Sequence, residues 1–556
     1  MAEGRCPRRF HLSSLDPGVG KTSLSVAFVN RLLASPAHDG VAVLVCLSRL
    51  VEVESFVEQL RGVHDQVAVH TSDDGLNALT MTPAARARVL ITTHQMIERR
   101  CQNRRFAEAE TFHHEGLPRE VRIWDEAMLP GDVVTLSSDQ LAALRGPCRK
   151  LHPGTAEAVE ALEAALRSCD HGATFETPVL VGASASCLTA LTQEANGQTA
   201  ETASALLYLS GRKVAISRSH HGVISALDYR DALPADLAPA VILDASGRVR
   251  HTYRLQERHR GDLVRLRAAP KDYAKLRVHV WDRGGGKASW GRDGEDLLRG
   301  IVAAIDGKPD EPWLVIHHKD CLSGRLPQRV RSLARGAGDR LRFIHWGAHH
   351  GINDHADVPN VILAGTLFLP APIYEGRARL AADMRLGQPL PDGELEALIR
   401  GVHADAVLQG LSRAGVRLSI GGGFAPCEAW IIASPRSGIR KLLPAIFPGC
   451  RVERWRPVRK APTGRVAEAI EVLERHLAAS PDAPLMLADL RKRLGIDSPS
   501  NFRRAIRRHP DFIEALDELG LEEAAIDGAR HANAIARVSA LFPPVDDDDR
   551  DGVWRC

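Results

Sequence analysis

The sequence predicts an α/β protein with two parallel-sheet lobes, a helical insertion within the first and a helical domain at the C-terminal end. Three observations carry this. Short β-type runs alternate with helical stretches from Arg8 to Met128 and again from about Leu276 to Arg456, the pattern of parallel strands joined by crossover helices. Between these blocks, from about Gly146 to Ala200, the chain turns Ala-rich and helical, as in HPGTAEAVEALEAALRSC. Beyond Arg456 the apolar residues recur at helical spacing in short segments separated by Gly, Pro or Ser.

Taken in order, strands are expected at RRFHLSSL, VAVLVCLS, VAVHTS, RVLITTHQMI and EVRIWDEAM, with helices at 23–33 and EVESFVEQL. LLYLSGRKVAISR and APAVILDAS resume the sheet character after the insertion, and KLRVHVW, PWLVIHH, LRFIHW, NVILAG and EAWIIAS supply the second lobe. The expected division is 1–145 for the first lobe, 146–200 for the insertion, 201–270 for the rest of the first lobe and 271–456 for the second. A C-terminal domain at 457–545 and an acidic tail at 546–556 complete it. WRPVRKAPTGR, from Trp455 to Arg465, has the Pro, Gly and basic content of a linker.

The 556 residues, 44% hydrophobic and 25% charged, exclude a disordered chain, a collagen-like rod and a small disulfide scaffold. A net charge of +3 decides nothing about nucleic acid, because basic residues can still gather on one face. Ten scattered cysteines without a CxxC pair read as reduced thiols. MAEGRCPRRF is followed by no apolar signal segment, and VAVLVCL from Val41 is too short to cross a bilayer. A cytoplasmic protein with no membrane anchor is expected.

LDPGVGKTS, from Leu15 to Ser23, follows a strand and precedes a helix, the setting a phosphate-binding loop requires. Pro17, Gly18, Val19, Gly20, Lys21, Thr22 and Ser23 are the expected nucleotide contacts. Backbone amides wrap a β-phosphate, Lys21 neutralises the β- and γ-oxygens, and the Thr22 hydroxyl ligates magnesium. Leu15 stands where the common pattern has its first glycine, so the loop is a variant. Asp125 and Glu126 end the VRIW strand. In this setting Asp125 holds magnesium through a water ligand and Glu126 orients or deprotonates the attacking water.

With GVGKT at Gly18 to Thr22 and DEAM at Asp125 to Met128, the chain resembles superfamily two helicases of the DEAD/DEAH type. The resemblance covers most of both α/β blocks and implies two RecA-like lobes closing on ATP and magnesium. VLVCLSRLVEVESFVEQL and VLITTHQMI are similar to segments that touch the nucleic-acid backbone, and DAS at Asp244 to Ser246 to the SAT-type element coupling ATP state to strand binding. WLVIHHKD, from Trp313 to Asp320, is similar to the opening of the second motor lobe, and HWGAHHGINDHADVPNVILAG implies that Gly351 and Asp354 lie near the cleft. QGLSRAGVR resembles the QxxGRxxR finger: Gln409 and Arg413 match in spacing, Ser412 replaces Gly, and Arg417 is displaced by one residue. Related repair helicases place four iron–sulfur cysteines before the acidic motif; here only Cys46 and Cys101 lie between Lys21 and Asp125, so no cluster is expected.

His349, His350, Asp354 and His355 are dense enough to suggest a metal site, but without helical or hairpin spacing a polar loop is the preferred reading. The pairs His113–His114 and His220–His221 are expected on the surface. In the C-terminal domain LADLRKRLGIDSPSNFRRAIRRH reads as helix, turn, helix, with Ser498 or Ser500 capping the second helix. Arg491, Lys492, Arg493, Arg503, Arg504, Arg507 and Arg508 lie there as phosphate contacts and Asn501 as a base contact, in what the resemblance suggests is a winged-helix-like domain. A solvated basic face, or a surface for a protein partner, is the equal alternative.

The function these observations predict is an ATP-dependent DNA helicase or translocase. A nucleic-acid-stimulated remodelling ATPase and an ATP-switched DNA-binding regulator are the alternatives, the latter weakened by the arginine finger.

Overall fold

Runs such as VLVCL, VLITT and VRIWD carry apolar or β-branched side chains on both faces, so they need cover on both faces. The computed structural model describes residues 1–537 apart from 61–63, 102–103, 195–196, 219–222, 337, 348–354, 419–425, 458–461, 482, 520 and 527–531. His220, His221, His349, His350, Gly351, Asp354, the centre of the expected linker and the acidic tail lie outside the described residues. Among the described residues the first lobe is a seven-stranded parallel sheet in the order Leu263–Arg265, Phe10–Ser13, Ala240–Leu243, Val121–Asp125, Val43–Leu47, Val89–Thr93 and Val67–His70. Val43–Leu47, Val89–Thr93 and Val121–Asp125 are buried at every position. The strand leading into DAS runs between the loop strand and the acidic strand. Asp125 therefore reaches the loop from two strands away.

The second lobe repeats the plan with six parallel strands among the described residues: Leu341–His345, Trp313–His317, Asn360–Ala364, Cys427–Ala433, Leu276–Asp282 and Arg451–Arg454. One face packs Val278, Leu314, Leu363 and Ile431 against helix Glu394–Leu411, and the other packs Trp281, Trp313 and Ile362 against helix Lys287–Asp306. These are two parallel-sheet α/β lobes. The short edge strands Leu263–Arg265 and Arg451–Arg454 had no clear pattern of their own.

The helices expected at 146–200 belong to a unit running from Gly131 to Asp231. Lys213–Arg218 and Ile224–Asp231, expected to rejoin the first lobe, instead pair antiparallel with Thr174–Glu176 and Gly131–Ser137. Their alternation marks them as strands, but partner choice is nonlocal and the half-exposed GDVVTLS is a weak strand signal. Four helices cover the inner face of this sheet around Leu144, Leu162, Leu188 and Leu206.

Helix Ala371–Ala381 of the second lobe lies against the insertion strands. A Cβ on Gly376 would sit 2.4 Å from Val133 Cγ1. The Tyr229 hydroxyl donates to the Met384 carbonyl, and Arg260 Nη2 donates at 2.7 Å to both Asp231 and the Leu380 carbonyl. The insertion thus bridges back to the second lobe.

At the C-terminal end, helices Gly464–Ala479, Leu487–Arg493, Pro499–Phe502 and Pro510–Glu518 share a core of Leu473, Leu490, Phe502, Ile506 and Phe512. They are joined by an antiparallel sheet of Leu485–Met486, Ala534–Arg537 and Leu521–Ala524. Ser498, not Ser500, caps the second helix, accepting from the Asn501 amide at 3.3 Å. His113, expected on the surface, is buried in a two-residue strand pair with Leu117–Pro118. No described helix is long and apolar enough to cross a membrane.

Gly376→Val should force the insertion off helix Ala371–Ala381, since overfilling a tight contact costs about 1–3 kcal/mol. Hydrogen exchange by mass spectrometry should then quicken across 131–231 while the central strands of the first lobe keep their protection. Unaltered exchange in the insertion would mean that this contact does not hold it in place.

Candidate functional site

The site forms where the strand ends of the first lobe meet the second lobe, as open parallel sheets dictate. After Phe10–Ser13 the chain turns through Leu15–Gly20 into helix Lys21–Leu33. Gly18 and Gly20 have φ of 77° and 88°, a region that side chains resist. At Gly18 there is a second reason for glycine: a Cβ would lie 1.9 Å from the Arg417 carbonyl oxygen.

Lys21 Nζ donates to the loop's own carbonyls, Leu15 O at 2.8 Å and Asp16 O at 3.0 Å, so its position is fixed by the loop it serves. Burial pushes its ammonium below the usual lysine range, while Asp125 and Asp244 pull the other way. Thr22 Oγ1 donates to Asp125 Oδ2 at 3.0 Å. Burial holds the Asp125 carboxyl above the ordinary aspartate range, opposed by that hydrogen bond. A hydroxyl and a carboxylate this close are hard oxygen donors of the kind magnesium takes.

Glu126 has φ of 73°, uncommon for a side-chain-bearing residue, and its amide donates to Leu243 O at 3.2 Å. Such a backbone costs about 1–2 kcal/mol. The sharp turn lets Asp125 face the loop while Glu126 also lines the cleft.

From the second lobe, helix Glu394–Leu411 and the turn after it bring Gln409, Arg413 and Arg417 to the same cleft, which has a volume of about 540 Å³. Arg413 Nη2 donates to Gln409 Oε1 at 2.9 Å. Burial and the neighbouring Arg417 push the Arg413 guanidinium down to about 10, with Glu126 opposing. Burial likewise lowers Arg417, Glu126 again opposing. Lys21, Arg413 and Arg417 thus converge with Asp125 and Glu126, as do Pro17, Gly18, Gly20, Thr22 and Ser23, whereas Val19 is exposed and outside the cleft lining.

A larger, mostly apolar groove of about 880 Å³ runs along the other side of the loop helix, past Leu24, Phe28, Ile123 and Leu243. Lys21 is the one residue of the charged set that reaches it, so polar chemistry belongs to the smaller cleft.

Three groups besides the residues expected to hold nucleotide line or support the cleft. Glu52, Ser55, Phe56 and Gln59, within and just after helix Leu50–Glu58, line its wall, although their segment resembles one that touches nucleic acid. Burial and Glu126 raise the Glu52 carboxyl. Asp244 also lines the cleft.

The third is Asp16, 0% exposed. Its carboxylate accepts from Arg248 Nη2 at 2.7 Å, the Lys271 amide at 2.7 Å and the Tyr273 hydroxyl at 3.0 Å. Arg248 also donates to Ala445 O and Ile446 O of the second lobe, and Lys271 Nζ to Arg417 O at 2.7 Å. Nothing in the local sequence marks a loop residue as the tie between lobes.

Thr93 caps helix His94–Arg100, and His94 stacks on Trp124 at 3.9 Å, its imidazole pushed down by burial to about 4. Arg507 pairs with Glu523, and Arg491 donates to the Ile496 and Asp497 carbonyls. Lys492, Arg493, Asn501, Arg503, Arg504 and Arg508 are exposed. Among the described residues no group of three His, Cys, Asp or Glu side chains is arranged to hold a metal ion.

No protein-family model and no curated protein sequence matches this chain. Among solved structures it is similar to an apo XPD, with 13% identity, 82% of this chain and 98% of that one covered, and a TM-score of 0.46. It is also similar to Xpd4 of S. tokodaii, with 11% identity, 80% and 96% coverage and a TM-score of 0.44. A third is Dbp5 of S. cerevisiae bound to RNA and ADP BeF3, with 10% identity, 85% and 90% coverage and a TM-score of 0.37. At such identities and scores they assign no activity; the lobes described above rest on their own strand order.

Asp16→Ala should lower the free energy of unfolding by about 3 kcal/mol, because it leaves Arg248, whose side chain is only 16% exposed, without its acid. Asp16→Asn, which keeps an acceptor, should cost less. Urea denaturation of the two variants checks this; an Asp16→Ala protein as stable as its parent would mean that the Ala445 and Ile446 carbonyls suffice for Arg248.

Proposed function

We propose that the protein is an ATP-dependent DNA helicase or translocase, in which hydrolysis of ATP between the lobes drives movement along nucleic acid. One observation carries the reading: an amine from the first lobe and two guanidiniums from the second line one polar cleft with two strand-end acids. Guanidiniums crowded out of water, Arg413 lowered by burial and by Arg417 and Arg417 by burial, favour a polyanion between them.

In this reading the loop amides and Lys21 bind the phosphates. Magnesium, held by Thr22 and through water by Asp125, would neutralise charge on the β- and γ-oxygens. Glu126 orients a water in line with the γ-phosphorus and takes its proton as the new P–O bond forms and the bond to the β-phosphate oxygen breaks. Gln409 holds Arg413, and Arg413 and Arg417 stabilise the charge that gathers on the leaving oxygens. Release of phosphate removes the anion between the lobes, so closure changes with each turnover and moves two nucleic-acid grips relative to each other.

The C-terminal domain places one strand before the helix, turn, helix segment and two after it in a small antiparallel sheet, which supports reading it as winged-helix-like. Its exposed Arg503 and Arg504 lie on the second helix of the pair, beside Asn501, and suit a DNA backbone.

Hydrolysis should be stimulated by single-stranded DNA. Lys21→Ala, Glu126→Gln and Arg413→Ala should each lose about a thousandfold in stimulated turnover, the scale of arginine-finger removal. Single-stranded DNA, duplex DNA and RNA offered separately in a phosphate-release assay decide the nucleic acid; nucleotide binding without stimulated turnover would favour the switch, and turnover without strand separation the remodelling ATPase.

Arg503→Glu with Arg504→Glu should weaken DNA binding and lower the slope of log affinity against log salt by about 1 for each phosphate no longer neutralised. Basal turnover should be spared. Fluorescence anisotropy at several salt concentrations provides the measurement, and an unchanged affinity would turn this face over to a protein partner.

A further inference from the structure

A chain of buried polar contacts leads from the acidic turn to the helix that carries the candidate finger. The Met128 amide, two residues past Glu126, donates to the Tyr253 hydroxyl at 2.9 Å. That hydroxyl donates to Asp244 Oδ2 at 2.8 Å. Asp244 Oδ1 accepts from the Ser246 amide at 2.8 Å and its hydroxyl at 2.7 Å. Arg250 then joins the lobes: its Nε donates to Ser246 Oγ at 2.7 Å and lies 3.6 Å from Asp244 Oδ2, while Nη2 donates to Asp405 Oδ2 at 2.5 Å. Asp405 belongs to helix Glu394–Leu411, one turn before Gln409, whose side chain holds Arg413.

Two features make this a linkage, not a string of neighbours. Tyr253, Asp244 and Ser246 are at most 1% exposed, and the Arg250 and Asp405 side chains are 12% and 10% exposed, so no member exchanges its partner for water cheaply. The far end is also fixed sterically: a Cβ on Gly401, one turn before Asp405, would lie 2.6 Å from the His251 amide nitrogen and 2.9 Å from the Val249 carbonyl oxygen. The finger helix is therefore seated on the same first-lobe segment from which Arg250 reaches across.

We propose that Tyr253, Arg250 and Asp405 are positioning residues that tie the acidic turn of the first lobe to the finger helix of the second. They touch neither substrate nor reacting atoms. Any shift of the turn that follows Glu126 pulls on the Tyr253 hydroxyl, and the pull reaches the finger through a buried ion pair that both lobes must keep. The proposal rests on the ATPase reading for its catalytic consequence and on packing alone for the linkage.

Tyr253→Phe in the full-length protein removes one hydroxyl and leaves the ring in place; Asp405→Asn keeps the shape and removes the charge. Each should lower DNA-stimulated kcat about tenfold, with the ATP KM within about twofold of its starting value, and the double variant should lose little more than either single, because both interrupt one chain. Adding Tyr253→Phe to Arg413→Ala should cost nothing further. Independently of turnover, Tyr253→Phe should quicken hydrogen exchange in 394–411, a segment of the other lobe. Unchanged exchange there, or losses that multiply with Arg413→Ala, would overturn the linkage. Wild-type turnover in Glu126→Gln would instead overturn the ATPase reading, and the exchange result alone would then decide the linkage.

Discussion

Arg250 and Asp405 come from different lobes, and their side chains are only 12% and 10% exposed. Separating them strands two buried charges, a change on the order of 3–5 kcal/mol when one partner is removed. The same holds at Asp16, whose acid is shared among Arg248, Lys271 and Tyr273 while Arg248 also holds two second-lobe carbonyls. The lobes therefore meet through charges that each must find in the other, and the cleft between them takes its shape from that requirement. Opening is possible only if something offsets those two sites, either water entering or a rearranged set of partners.

Within the cleft the side chains hold one another in place. Lys21 is held by the carbonyls of its own loop, Thr22 by Asp125, Arg413 by Gln409, and Glu126 by a backbone turn that a side chain does not adopt without cost. On the ATPase reading proposed above, preorganised donors and charges need little rearrangement to meet a phosphate chain, which is where such sites gain over water. Gly18 shows the tolerance: its missing side chain is the space into which the Arg417 backbone fits.

The parts legible from the sequence were those set by local chemistry. A strand buried on both faces must be written as VLVCL or WLVIH, and a tight turn needs glycines where φ is positive, so both lobes and the glycine turn could be read directly. Asp125, Glu126, Gln409 and Arg413 could be named from motif spacing, and they line one cleft. Sheet order was not legible, since the DAS strand interposes itself between loop and acid by long-range pairing. The limits of the insertion were hidden for the same reason, and the C-terminal sheet because Leu485–Met486 is too short to show alternation. Asp16, Tyr253 and Arg250 read as ordinary polar residues; only their burial against partners from distant segments marks them.

The insertion is not a bystander to closure. Helix Ala371–Ala381 lies between the insertion strands on one side and helix Glu394–Leu411 on the other. Gly376 meets Val133 on the first side, and Gly401 meets the 249–251 segment on the side of the first lobe. Helices in such close contact slide or move together but do not compress, because packed interiors have no spare volume. A displacement of the finger helix is therefore passed to helix Ala371–Ala381 and from there to the insertion, or else it must break the contacts of Tyr229 and Arg260. Since the insertion is also covalently rooted in the first lobe, just after the acidic turn, it closes a loop of contacts with the finger helix at one end and Glu126 at the other. Relative motion of the lobes is thus felt at both ends of the insertion.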